Sequence, residues 1–87
     1  MKLTPLYYVY KALDGVYRKG AFSSIELNKY IGNARKEDKA LICRLFYGVL
    51  ERDIESDYLI NAYVVKVKPA VRTLLKIGIY EIKYMDI

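Results

Sequence analysis

The chain has 87 residues, enough for one small domain and too few for two. Apolar residues make up 54%, which suffices for a core, and the ten tyrosines among them favour its rim, where a hydroxyl can reach water. Fifteen lysines and arginines oppose ten acids, a formal net charge of +5. That balance favours an anionic partner, nucleic acid first. No histidine is present and Cys43 stands alone, which excludes Ser–His or Cys–His catalysis, an ordinary zinc site and an internal disulfide.

The first predicted element opens at Thr4-Pro5, a cap followed by proline at the first helical position. Leu6, Val9, Tyr10, Leu13, Val16 and Tyr17 then recur at helical spacing, and Gly20 ends the helix. Gly15 weakens it unless a neighbour uses the missing side chain. A second, short helix reads as capped by Ser23 or Ser24, with Glu26 completing a capping box if Ser23 is the cap and Gly32-Asn33 as the stop.

The third helix begins near Arg35 to Glu37 and runs to about Arg52. Leu41, Ile42, Leu45, Gly48 and Val49 share its apolar face, and Gly48 there signals a close approach by another helix. Cys43 falls in this run as a small hydrophobe. Glu37 and Asp38 suit the first turn, and Asp38 is expected to cap or to pair with a basic residue of a neighbouring helix. Asp53 to Ser56 reads as a break, Ser56 as the cap of a fourth helix running to about Val67, and Asp57 as its first-turn acid. Tyr63 to Val67 also has strand propensity, but its flanks favour helix.

Lys68-Pro69 opens the fifth helix, where Val71, Leu74, Leu75, Gly78 and Ile82 form a continuous stripe. Ile77, Ile79 and Tyr84 spread apolar surface around most of the circumference, as in a central helix. Arg72, Lys76 and Lys83 share the remaining polar strip, and Glu81 is expected to bond a buried tyrosine or arginine. The fold class is therefore all-α, a five-helix bundle. No signal segment or membrane span is evident, and the lone cysteine fits the reducing cytoplasm.

The basic residues fall into three groups beside aromatics. Tyr7, Lys11 and Arg18 occupy one flank of the first helix, with Lys2 and Lys19 nearby in sequence. Arg35, Lys36 and Lys39 lie at the entry to the third helix, and Arg72, Lys76 and Lys83 on the fifth. Cations neutralise phosphates and tyrosine stacks on unpaired bases, so each group is a candidate RNA contact. Taken alone, each is more often a solvated face, as in a purely structural helical module.

Residues Asp38, then RLFYGVLERDIESDYLI (44–60), then VRTLLKIGIYEIKYM (71–85), resemble the NusB-like RNA-binding domain. The shared pattern is an acid opening a helix, an LVYGVL-like run, and later V-R-x-x-L-[RK]-x-G-x-Y-[EQ]-L. GAFSSIELNKYI (20–31) resembles the branch that forms the N-terminal domain of Sun/RsmB-type ribosomal RNA cytosine methyltransferases. The resemblance covers nearly the whole chain and implies RNA binding through the N-terminal helix region, with Arg72 and Lys76 at motif positions. It also implies a catalytic methyltransferase domain in cis that carries the S-adenosylmethionine site and the nucleophilic cysteine, with none in this chain. The other branch implies a transcription antitermination factor that binds RNA and a small-subunit ribosomal protein. Two departures stand out. Glu51 replaces a usual basic residue, and the family domain continues through a proline-containing loop into two more helices. Residues 1–87 thus read as an N-terminal fragment whose uncovered apolar surface favours a homo-oligomer.

Overall fold

The computed structural model describes residues 4–63 and 66–85, which form five α-helices and no strand. Helix α1 (Pro5–Lys19) starts as its sequence requires: the Thr4 hydroxyl accepts the Tyr7 backbone N–H at 3.3 Å. It stops at Gly20, whose φ of +67° is the left-handed cap that glycine adopts without steric cost.

Helix α2 (Ser23–Ile31) does not use the expected capping box. Phe22 takes the cap position without a side-chain bond, and Ser23 is already helical. Glu26 is buried instead, with its carboxylate packed over Gly15 of α1. A Cβ on Gly15 would lie 2.4 Å from the Glu26 carboxyl carbon, so the glycine makes the slot that draws Glu26 from the cap.

Helix α3 (Lys36–Glu51) buries Ile42, Leu45, Phe46 and Val49, while Leu41 sits at the rim. Phe46, the largest fully buried side chain, joins the face expected from periodicity. Gly48 faces the Tyr80 ring of α5, the close approach its position signalled.

Helix α4 (Asp53–Tyr63) follows after one non-helical residue, Arg52, so the expected break is far shorter than Asp53 to Ser56. The Ser56 N–H bonds the Arg52 carbonyl, and its side chain is buried inside the helix rather than capping it. Asp57 is consequently in the second turn. Tyr63 is helical, and 66–68 is not; Val64 and Val65 lie outside the described residues.

Helix α5 (Pro69–Tyr84) packs against α1, α3 and α4, as expected of a central helix, but on a different arc. Thr73, Lys76 and Ile77 are buried, with Tyr80 packed on the core. The expected stripe of Val71, Leu74, Leu75 and Ile82 is exposed, and Gly78 has open space beside it. Helical periodicity finds both arcs without saying which one turns inward. The choice follows from partners: Gly48 admits the Tyr80 ring, and carboxylates of α4 receive Lys76.

The core joins Val9, Ala12 and Leu13 of α1 to Leu27, Ala34, the α3 face and Ile77. Tyr8, Tyr10, Tyr17, Tyr30 and Tyr80 ring it half-buried, as tyrosine's amphipathic chemistry dictates.

Candidate nucleic-acid interface

On α1 the core face and the basic flank are opposed. Val9, Ala12 and Leu13 point inward, whereas Tyr7 and Arg18 are exposed and Lys11 is half-exposed. The spacing 7, 11, 18 keeps these three within about 40° of arc. Tyr7 rests edge-on against Tyr8 at 6.3 Å between ring centres, and the Tyr8 hydroxyl donates to the Asn33 carbonyl. The aromatic pair is thereby tied to the α2–α3 connection. Arg18 lies 3.6 Å from Asp14 and stays 62% exposed. The pair is loose and Arg18 is mostly in solvent, although the Asp14 oxygen that it faces is buried and makes no hydrogen bond. Lys19 is exposed in the last turn. Lys2 lies outside the described residues.

The second group divides. Arg35 is engaged by Glu37 at 2.9 Å and by Asp38 at 3.2 Å, so Asp38 pairs with the residue that opens its own helix and not with a neighbouring helix as expected. Lys36 and Lys39 are exposed and, among the described residues, form no ion pair.

The third group forms an interhelical seam. Arg72 donates to Asp57 and to Asn61, both at 2.7 Å. The Lys76 side chain is 5% exposed, donates to Asp53 at 2.7 Å, lies 3.1 Å from Asp57 and sits over the Tyr17 ring. Lys83 pairs with Glu55, which also accepts from Tyr84. Asp57 is thus a bridging acid rather than a first-turn one, because α4 begins four residues earlier than Asp57 itself. Tyr17, Asp53, Asp57, Asn61, Arg72 and Lys76 border an open cleft of about 450 Å³. Its two cations and two carboxylates neutralise one another. Burial and the bond to Asp53 push the Tyr17 phenol well above its ordinary range. Bonds from Lys83 and Tyr84 hold the Glu55 carboxyl below its usual range, and Glu55 in turn raises the Lys83 ammonium and the Tyr84 phenol.

Among the described residues Glu81 has no side-chain hydrogen bond. It borders an apolar groove of about 400 Å³ with Leu6, Leu41, Leu45 and Met85, and the expected tyrosine or arginine partner is absent there. No group of acidic, cysteine or histidine side chains among the described residues could hold a metal ion. No helix there is long and apolar enough to cross a membrane. The glycines stand singly: Gly15 and Gly48 are taken up by Glu26 and Tyr80, and Gly20 caps a helix.

Two exposed residues of α3, Arg44 and Tyr47, belong with these cations but do not emerge from inspecting apolar stripes. Counting the opposite arc of the same helix would have found them.

The NusB family model matches residues 5–87. Over 81 residues the chain is 30% identical to "Probable ribosomal RNA small subunit methyltransferase B" of Bacillus subtilis (strain 168). The alignment takes in 87% of this chain and 18% of that relative, so the chain spans under one fifth of the relative's length. No solved structure matches.

Proposed function

The chain belongs to the NusB family, and on that premise we propose that it is an RNA-binding accessory domain of a ribosomal RNA (cytosine-5) methyltransferase. The observation carrying this reading is the flank of α1, where Tyr7 and Arg18 are exposed and Lys11 is half-exposed, with one loose ion pair, Arg18 to Asp14, among the described residues. These side chains offer phosphate neutralisation and an aromatic face for an unpaired base. The five-helix unit supplies no nucleophile with a base. Methyl transfer from S-adenosylmethionine is accordingly assigned to a separate domain, with this unit holding ribosomal RNA for it.

The test is the reading frame beyond Ile87 together with the activity of its product. A methyltransferase domain there whose ribosomal RNA methylation weakens on Lys11→Glu/Arg18→Glu supports the accessory role. A stop codon directly after Ile87 in the native gene contradicts it. Family membership alone favours the second reading, an antitermination-type factor binding RNA and a small-subunit ribosomal protein. Failure of that ribosomal protein to co-purify with the chain counts against this second reading.

The open arc of α5 supports self-association of the 87-residue chain. Leu74 and Ile82 are 55% and 84% exposed on the face that carries Val71 and Leu75. Contiguous apolar surface of this kind favours contact with a second copy. Sedimentation equilibrium is expected to show dimers or larger species that Leu75→Lys/Ile82→Lys dissociates. A monomer at high concentration overturns the expectation.

A further inference from the structure

The outward face of α3 brings three cations together. Lys36, Lys39 and Arg44 are exposed, and among the described residues none forms an ion pair. Tyr47 stands 44% exposed, although it belongs to the FYGVL run whose neighbours Phe46, Gly48 and Val49 are buried. Eleven residues separate Lys36 from Tyr47, three helical turns, so both lie on one line about 16 Å long. Lys39 and Arg44 flank that line on opposite sides. Between them lie only the small residues Ala40, exposed, and Cys43, half-buried. The surface is therefore a shallow floor with long cations at its edges and a ring at one end.

The ring is held in place. Tyr47 meets Phe46 edge-on at 5.1 Å between centres, with the planes 80° apart, and Phe46 is fixed in the core. A fixed ring with a solvent-facing side suits stacking better than a mobile one. Of the acids nearest this face, Glu37 and Asp38 are bound by Arg35, Glu51 lies a turn beyond Tyr47, and Glu81 borders the adjoining groove with Leu41.

We propose that this face of α3 contacts single-stranded RNA: Lys36, Lys39 and Arg44 neutralise phosphates, and Tyr47 stacks on one unpaired base. The inference rests on the RNA-binding reading of α1 and adds a second surface to it. Its ligand is single-stranded because the bases of a duplex are already stacked and unavailable to a surface ring. An acidic peptide would satisfy the cations without using Tyr47.

The test is fluorescence anisotropy with a 12-nucleotide single-stranded RNA across a salt series, on the intact chain. Lys36→Gln/Lys39→Gln/Arg44→Gln is expected to weaken binding and reduce the slope of log affinity on log salt by about 2, three contacts at roughly 0.7 each. Tyr47→Leu keeps the packing on Phe46 and is expected to weaken binding about tenfold with the slope unchanged. Melting curves confirm that these surface variants remain folded. A triple variant with the parent's slope overturns the α3 proposal while leaving RNA binding through α1 intact. Absence of salt-dependent RNA binding by the unaltered chain overturns both. Competition by polyglutamate equal to that of RNA per unit charge assigns the face to acidic peptides and also overturns the proposal.

Discussion

Gly48→Ala is expected to destabilise the protein by about 1–3 kcal/mol, and Gly78→Ala to stabilise it by about 0.5–1 kcal/mol. Both glycines sit inside helices, and neither has the left-handed φ that only Gly20 shows. Backbone freedom is therefore not what either supplies. Alanine is the better helix former by about 1 kcal/mol, so both substitutions start with a gain. At Gly48 the new Cβ would lie 2.2 Å from the Tyr80 ring, which must move. That ring is half-buried and packed against Tyr84 at 5.4 Å between centres, so it has little room. The strain exceeds the propensity gain. At Gly78 nothing lies within 4 Å, and the gain stands. Urea unfolding measures both. Tyr80→Ala is itself destabilising, but in its background Gly48→Ala should cost little or nothing, a coupling that independent sites do not show. A stabilised Gly48→Ala variant would mean that α3 and α5 are not in contact there.

Lys76→Met is expected to cost about 2–3 kcal/mol, with its first effect on α4. The side chain is 5% exposed and serves Asp53, Asp57 and the face of Tyr17 together. Methionine fills a similar volume but leaves both carboxylates without their shared cation. Breaking a fully buried pair in this way costs about 3–5 kcal/mol. Asp53 and Asp57 remain 34% and 41% exposed and partly rehydrate, which sets the lower figure. Helix α4 packs chiefly on α5 and buries only Ile60 and Ser56 deeply, while Ile54 and Tyr58 stay in solvent. Its attachment therefore depends on the seam of Arg72, Lys76 and Lys83. Amide exchange in α4 is expected to accelerate before exchange in α1 or α3, and Asp53→Asn in the Lys76→Met background to restore part of the loss. A Lys76→Met protein as stable as the parent refutes the seam. The same variant separates stability from binding: an ammonium committed to two carboxylates gives no phosphate contact, so the salt dependence of RNA binding should not change.

The architecture was legible because each helix carries its own punctuation. Thr4-Pro5, Gly20 and Lys68-Pro69 fall at observed helix ends, and Gly48 lies at the close approach it signalled. The misreadings share one physical origin, a local rule overridden by a partner distant in sequence. Glu26 has the spacing of a capping box, but Gly15 offers it a buried slot. Ser56 has the chemistry of a cap, but α4 starts at Asp53, whose carboxylate meets Lys76 and Tyr17. Lys76 occupies a polar strip by periodicity and is buried because α4 brings carboxylates to it. A sequence lists its cations without showing which are already paired. That is why Arg35, Arg72 and Lys76 look equivalent to Lys11, Lys36 and Lys39 until the helices are assembled. Arg44 and Tyr47 are hard to read from sequence for the converse reason, since an apolar motif draws attention to its buried side.

The claim that this fold presents free cations to RNA is tested most directly by titrating the unaltered chain with single-stranded ribosomal RNA over a range of salt. Affinity is expected to fall linearly on a log–log plot, with a slope of about −2 to −4, corresponding to three to six phosphate contacts at roughly 0.7 each. Absence of binding at low salt, or affinity that does not respond to salt, would contradict it.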